Sequence, residues 1–367
     1  MSGSPPPARH LDALTGLRGI AAWMVVLYHI RFSLTGLFPA PVITGLGKGY
    51  LAVDLFFMLS GFVLWYNYAD RLAQGGLPAV RQFLWRRFAR IWPLHALIMV
   101  LFIGYALALW AKDKDIASYP FDQLPLHLLL AQNWGMTSEL AWNHPAWSIS
   151  TELAAYLVFP LFVSALQWSR VPLAALLAIC AGLLGSVALL FAAHGLGSLG
   201  SDITGLGLWR CLLEFAAGCL LCMLWHHWRD LRLAAPLAGL TCLGALATGW
   251  LAQLPETTFM PLAFASGLMA LALSRSFITR ALGQGTLLYL GEISYSTYLA
   301  HFLLFIIYKH LLVDATLQLG WPGLLGFLGI VLAASMALYH MVEKPAQRWL
   351  NNHAPRRAAE SKPVSIS

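Results

Sequence analysis

The chain has 367 residues, of which 59% are hydrophobic and 11% are charged. Soluble domains are about 45–50% apolar and about 25% charged, so this composition excludes an ordinary soluble protein. It also excludes a disordered chain and a disulfide scaffold. The apolar residues form blocks of about 18–25 residues, the length that an α-helix needs to cross a bilayer. The composition therefore predicts an all-α, polytopic membrane protein.

Ten apolar blocks follow one another along the chain and predict a transmembrane helical bundle of about ten spans. They cover about residues 16–34, 50–68, 91–110, 142–166, 171–193, 205–225, 233–251, 258–274, 286–308 and 322–342. The longest interior loop, residues 111–141, holds a short apolar piece that would lie in the interface or re-enter the membrane. We assign residues 1–350 to one integral membrane domain and residues 351–367 to a disordered cytoplasmic tail.

Lysine and arginine are distributed unequally between the two predicted sides of the membrane. Sixteen of the 23 lie on one side and five on the other, while two fall within spans. Cytoplasmic loops carry the excess of positive charge in membrane proteins. This distribution predicts that both termini are cytoplasmic, and it explains the net charge of +7 without invoking nucleic acid.

The first predicted span carries two ionisable residues, Arg18 and His29, which are costly to place in lipid. Eleven helical residues make about three turns and a rise of about 16 Å, so both side chains share one face. Arg18 would lie near the cytoplasmic mouth, where a phosphate-bearing ligand arrives, and His29 would lie deeper. The alternative is an arginine that extends to the interface and a histidine that bonds a neighbouring helix.

A basic segment leads into the third predicted span and contains Arg86, Arg87 and Arg90. Spacings of three and four residues place these guanidinium groups on one helical face. Such a cluster can hold phosphate groups through paired hydrogen bonds. The alternative is a positive-inside anchor beside an aromatic belt.

Two carboxylates inside predicted spans, Asp54 and Glu152, are candidates to orient His29. A carboxylate beside an imidazole fixes its tautomer and raises its basicity. The segment from Trp147 to Glu152 opens the fourth span. The alternative for Glu152 is an arginine or backbone partner.

Two further polar groups of residues lie in later spans. Arg210 and Glu214 are four residues apart, and we expect them to neutralise each other as a structural pair within one helix. Ser294, Tyr298 and His301 form one polar stripe on an apolar helix. The stripe is typical of a hydrophilic cavity or of hydrogen bonds between helices.

Six motifs, in order, resemble the membrane-bound acyltransferase family three, whose members O-acylate surface glycans and related acceptors. They are Leu11–Ile20 leading to Tyr28 and His29, Val53–Phe62, Arg86–Pro93, Trp147–Glu152, Ile293–His301 and Val342–Pro345. The resemblance implies a cytoplasmic acyl-CoA donor, most commonly acetyl-CoA, used as co-substrate with no bound cofactor and no metal. It also implies a hydroxyl acceptor on the extracytoplasmic side, and it makes Arg18 and His29 the hallmark Arg-x10-His element.

This resemblance leads us to expect an acyl-CoA-dependent O-acyltransferase in the bacterial inner membrane, acting on a glycan or glycolipid and on no nucleic acid. His29, oriented by Glu152 or Asp54, would be the general base or a transient acyl carrier. Substrate would be bound by Arg18, Arg86, Arg87, Arg90, Trp147, Ser294, Tyr298 and His301. A transporter or flippase of a polar or glycan substrate is the alternative, because it would use the same intramembrane charges.

Overall fold

The computed structural model describes residues 9–313 and 317–354 as a bundle of helices, and no β-strand occurs within these ranges. The helices, in chain order, are α1 (Arg9–Ile30), α2 (Ala40–Gly47), α3 (Ala52–Trp110), α4 (Leu124–Leu128), α5 (Ala146–Ala165), α6 (Leu173–Ala193), α7 (Ile203–Trp228), α8 (Ala234–Leu251), α9 (Glu256–Leu273), α10 (Phe277–Leu282), α11 (Gly285–Glu292), α12 (Ser294–Leu312), α13 (Trp321–Leu338) and α14 (Lys344–Asn352).

Among the described residues, eight helices are long and apolar enough to cross a membrane, or nine if the bent pair α11 and α12 forms one span. Helix α3 has 59 residues and is interrupted at Gly76, where φ is 54°. At 1.5 Å per residue its length is about 88 Å, far more than the hydrocarbon core of about 30 Å. It therefore carries two of the ten predicted blocks. The polytopic helical bundle is confirmed, and the side on which the termini lie stays a prediction.

Helices α3 and α7 approach each other at backbone distance in the centre of the bundle. A Cβ atom on Gly218 would lie 1.9 Å from the carbonyl oxygen of Met58, and one on Gly61 would lie 2.0 Å from that of Phe215. No side chain fits in either gap, so glycine is required at both positions. This contact brings the polar residues of α7 against those of α3.

Helix α1 packs against α3, α9, α11 and α12 inside the bundle. Arg18 and His29 lie on this one unbroken helix, and both are partly buried. The bundle therefore surrounds the helix that carries the two hallmark residues, and their side chains reach the interior rather than only lipid.

The connection between α3 and α5 folds back onto the bundle. Its Trp142 is 1% exposed and donates from Nε1 to the carbonyl oxygen of Pro120 at 3.0 Å. The short apolar piece predicted in this connection becomes α4. At the other end of the chain, α14 extends to Asn352, two residues past the predicted domain boundary, and residues 355–367 of the predicted tail lie outside the described residues.

Candidate active site

A cavity of about 130 Å³ lies between α1, α3, α5 and α12. Six of the residues selected from the sequence line it: Arg18, Arg87, Arg90, Glu152, Ser294 and Tyr298. The remaining wall is formed by Phe56, Phe57, Leu59, Ser60, Val63, Leu64, Ile91, Ser148, Ile149, Tyr156 and Tyr295. Residues that are up to about 280 positions apart in the chain thus meet around one polar space.

The three arginines of the cavity differ in how they are held. Arg90 forms an ion pair with Glu343, whose side chain is 1% exposed. Arg87 donates to the hydroxyl of Tyr68 at 3.0 Å. Arg18 makes neither a hydrogen bond nor an ion pair with any described residue, although Glu152 interacts with it electrostatically. A guanidinium whose N–H donors are unbonded in a cavity can bind an anion.

Glu152 faces this cavity and does not contact His29. Its Oε1 accepts hydrogen bonds from Ser60 Oγ at 2.5 Å and from Tyr156 Oη at 2.6 Å. The predicted contact between Glu152 and the imidazole of His29 is therefore wrong. The carboxylate is held between α3 and its own helix, next to the arginines.

His29 pairs instead with a second histidine, His301, through 3.1 Å between His29 Nδ1 and His301 Nε2. His301 Nδ1 lies 2.8 Å from the carbonyl oxygen of Tyr298, and His29 Nδ1 lies 2.9 Å from that of Val25. Carbonyl oxygens only accept hydrogen bonds, so Nδ1 carries the proton in both rings, and the single Nδ1 hydrogen of His29 is shared between the carbonyl oxygen of Val25 and Nε2 of His301. The free lone pair of His29 therefore lies on its Nε2.

Asp54, the other candidate to orient His29, is bound to Arg210. The guanidinium donates from Nε and Nη2 to the two carboxylate oxygens at 2.5 and 2.6 Å, and both residues are at most 1% exposed. Arg210 Nη1 also donates to the carbonyl oxygen of Leu199 at 2.5 Å. This bidentate pair joins α3 to α7, and Asp54 is unavailable to His29.

The same contact shows that the predicted pair of Arg210 and Glu214 is wrong. Glu214 is 0% exposed, and neither of its oxygens accepts a hydrogen bond from a described residue. The two side chains are neighbours on α7, but the guanidinium reaches across to Asp54 because a bidentate partner on another helix satisfies more of its donors. Glu214 stays beside that pair and interacts with it electrostatically.

The other predicted residues divide between several surroundings. Arg86 does not line the cavity. Trp147 lies under Arg210, with 5.6 Å between the guanidinium carbon and the ring centroid. Tyr298 lines the cavity and also bonds across helices, with 2.7 Å between its hydroxyl and Ser148 Oγ. The polar stripe thus serves both of the purposes that the sequence left open.

Glu343 has no predicted role, although it lies in the last motif. Besides Arg90, this carboxylate accepts a hydrogen bond from Ser296 Oγ at 2.6 Å. Its position at the end of the final apolar block could have indicated a paired carboxylate, because an unpaired carboxylate is costly to place in a membrane.

A ring contact also leads from His29 toward the connection before α5. Phe302 packs edge-on against His29 with 5.5 Å between the ring centroids, and His144 stacks on the same phenyl ring at 4.9 Å. Burial lowers the pKa of His144. The sequence offered no signal for this contact.

The fold and the cavity define a membrane-embedded protein with an arginine-lined cavity and a hydrogen-bonded pair of histidines. A sequence model of the acyltransferase domain family, acyltransferase family 3, matches residues 11–340, so the chain belongs to this family. No solved structure gives a significant match.

Similarity to individual proteins agrees with this assignment. The chain is 29% identical over 383 aligned residues to Acyltransferase MdmB of Streptomyces mycarofaciens, covering 96% of this chain and 95% of that protein. It is 35% identical over 176 residues to Protein 2 in picA locus of Rhizobium radiobacter, and the alignment covers 43% of this chain and 84% of that protein. It is 24% identical over 164 residues to Putative O-acetyltransferase SACOL0978 of Staphylococcus aureus (strain COL). That alignment covers 42% of this chain and 25% of that protein.

Proposed function

We propose that the protein transfers an acyl group, acetyl in the first instance, from cytoplasmic acyl-CoA to a hydroxyl of an extracytoplasmic glycan or glycolipid in the bacterial inner membrane. The observation that carries this proposal is the cavity that contains Arg18, whose donors are unbonded, together with the adjoining pair of His301 and His29, in which His301 bonds to the backbone of the cavity residue Tyr298. Membership of the acyltransferase family and the relatives' names support acyl transfer.

The arginine cavity suits the donor. Coenzyme A carries its negative charge on phosphate groups, which planar guanidinium groups bind with two parallel hydrogen bonds. Arg18 has these donors free, while Arg87 and Arg90 add positive charge beside it. We assign the phosphates to these three arginines, and we expect the uncharged pantetheine arm to extend along α1 toward His29.

His29 supplies the base. Its Nε2 lone pair takes the proton of the acceptor hydroxyl while the hydroxyl oxygen attacks the thioester carbonyl. A carbon–oxygen bond forms, the carbon–sulfur bond breaks, and the thiolate of coenzyme A takes up the proton. In the alternative route the same lone pair attacks first and forms an acyl-histidine, which the hydroxyl then cleaves. Rapid acid quenching with labelled acyl-CoA distinguishes the two routes.

The test uses purified protein in lipid vesicles with radiolabelled acetyl-CoA and a panel of neutral alkyl glycosides as acceptors. We expect His29→Ala to lower kcat about 10²- to 10⁴-fold, the usual contribution of a general base, while acetyl-CoA still binds. A well-folded His29→Ala protein that transfers acetyl at the wild-type rate would contradict the proposal.

The donor assignment has a separate test with a matched control. Arg18→Ala should raise the KM for acetyl-CoA at least tenfold, because a cation with unbonded donors for phosphate is removed. Arg81→Ala removes an exposed arginine of α3 outside the cavity, and its donor KM should stay within twofold of wild type. Equal effects of the two substitutions would show that general positive charge, rather than this cavity, attracts the donor.

A further inference from the structure

We propose that the connection between α3 and α5 forms the acceptor subsite, in which the side-chain oxygens of Gln132, Asn133 and Asn143 bind the hydroxyl groups of a neutral, polyhydroxylated ligand. This inference rests on the proposed function. It names where the acceptor binds and which groups of the protein recognise it. It is carried by a second cleft, separate from the arginine cavity, and by the polar atoms that the fold leaves unbonded there.

The cleft lies beside the start of α5 and is closed in this structure. Thr137, Glu139 and Leu140 form its partly exposed rim. Its lining includes four polar side chains that are at most 4% exposed, those of His127, Gln132, Asn133 and Asn143. Water does not reach these groups, so each one needs a partner from the protein or from a ligand.

The three amide side chains are anchored in the same way. Each NH₂ group donates to a backbone carbonyl: Gln132 to Ala146 at 3.3 Å, Asn133 to Ile203 at 3.0 Å and Asn143 to Leu299 at 3.1 Å. The opposite atom of each amide, its oxygen, has no hydrogen-bond partner among the described residues. Three fixed and unsatisfied acceptors around one cleft are costly to the fold, which is typical of a ligand site.

His127 defines the remaining chemistry. Neither of its ring nitrogens has a hydrogen-bond partner among the described residues. Burial, with smaller contributions from His95 and His144, lowers its pKa to about 4, so the ring is neutral at pH 7 and offers one donor and one acceptor. The interior therefore presents mainly acceptors and no charge. Hydroxyl groups match it because each brings a donor, whereas phosphates and carboxylates bring only acceptors.

The position of the cleft fits an acceptor that must meet His29. His144 lines the cleft and stacks on Phe302, which packs edge-on against the His29 ring. On α5, Trp147 faces this cleft, and the next residue, Ser148, faces the arginine cavity. The first turn of α5 thus separates the proposed donor and acceptor subsites. Ring contacts link His29 to the arginine cavity through His301 and Tyr298, and to the cleft through Phe302 and His144.

The deciding variant is His127→Phe, because this substitution breaks no hydrogen bond within the described protein. If His127 is only structural, replacing an unsatisfied buried polar ring with an apolar one leaves KM unchanged and the melting temperature equal or higher. Our proposal predicts a rise of at least tenfold in the KM for the glycoside, with the acetyl-CoA KM within twofold. His194→Phe, at an exposed histidine outside the cleft, is the control and should change neither KM.

A second variant keeps the test decisive if His127→Phe folds poorly. Gln132→Met preserves the length of the side chain. It loses the long hydrogen bond to the carbonyl oxygen of Ala146 and removes the unbonded side-chain oxygen Oε1. It should raise the glycoside KM in the same selective way. An unchanged glycoside KM in the folded variants would overturn the inference.

Amide oxygens also ligate cations, so calcium chloride and sodium chloride titrations are run in parallel. A melting temperature that rises with calcium or sodium, and that loses this response in Gln132→Met without any change in glycoside KM, would assign the cleft to a cation and overturn the inference. A wild-type protein that fails to bind acetyl-CoA contradicts the proposed function itself. One that binds and transfers acetyl, with a glycoside KM insensitive to both variants, contradicts only the acceptor subsite.

Discussion

His301 holds the imidazole of His29 across the interface of α1 and α12, with 3.1 Å between His301 Nε2 and His29 Nδ1. The side chain of His301 is 0% exposed, and its own Nδ1 is fixed by the backbone of α12. The carbonyl oxygen of Val25 already requires the proton on Nδ1 of His29, so His301 adds a second acceptor that fixes the orientation of the ring, a task that a carboxylate performs in many enzymes. This arrangement avoids placing a negative charge beside the base inside the membrane.

The histidine pair predicts that His301 positions His29. His301→Ala should lower kcat about tenfold or more and leave the acetyl-CoA KM within twofold, because only the orientation of the base is lost. His301→Gln should restore part of kcat, since its amide oxygen can accept the hydrogen of His29 Nδ1. The measurement is kcat as a function of pH for the three proteins. Wild-type kcat in His301→Ala, or no difference between Ala and Gln, would contradict this role.

Glu152 provides a second test of the same site. Glu152→Gln keeps an oxygen that can accept from Ser60 and Tyr156, so the protein should fold. Because Glu152 does not contact His29, we expect kcat to fall less than tenfold. Steady-state kinetics with acetyl-CoA and glycoside measure this. A fall of more than a hundredfold in kcat at an unchanged donor KM would show that the carboxylate acts on the reacting groups.

The buried ion pair of Asp54 and Arg210 predicts a large effect on stability. Arg210→Met leaves a fully buried carboxylate without its partner, which typically costs about 3–5 kcal/mol. Asp54→Asn combined with Arg210→Met should recover much of the loss, because the uncompensated charge is then removed. Glu214→Gln, next to the pair, keeps the volume of the side chain and carries no charge, so it should have a small effect. Melting temperatures in detergent compare these variants, and a larger loss in Glu214→Gln than in Arg210→Met would contradict the assigned pairing.

The close approach of α3 and α7 predicts that Gly218 tolerates no side chain. Even alanine would place its Cβ 1.9 Å from the carbonyl oxygen of Met58, so the helices must separate or the protein fails to fold. Gly182→Ala on α6 is the control, since a Cβ there meets nothing within 4 Å. Size-exclusion profiles of the detergent-solubilised variants report the folded fraction. Wild-type profiles for Gly218→Ala would show that this interface is looser than described.

Much of the architecture could be predicted from the sequence because the bilayer restricts the alternatives. Apolar blocks of bilayer length coincide with the long helices of the bundle, and the spacing of Arg18 and His29 places both on one face of α1. Arg18 and Glu152 line the arginine cavity for the same reason, since ionisable groups in spans must face the interior.

The partners of the charged groups could not be predicted. Spacing along α7 suggested that Glu214 neutralises Arg210, but the choice of Asp54 depends on how closely α3 and α7 approach. His301 as the partner of His29 depends equally on the packing of α12 against α1. The unsatisfied amides of Gln132, Asn133 and Asn143 are ordinary loop residues in the sequence, and only their burial marks them.

The most direct measurement is a cryo-electron microscopy structure of the protein in lipid nanodiscs with a non-hydrolysable acetyl-CoA analogue. We predict phosphate oxygens within hydrogen-bond distance of Arg18 and of Arg87 or Arg90, and the acetyl carbonyl carbon about 3–4 Å from His29 Nε2, as a near-attack geometry requires. An analogue bound outside the arginine cavity, or one whose acetyl group lies about 10 Å or more from His29, would contradict the proposed function.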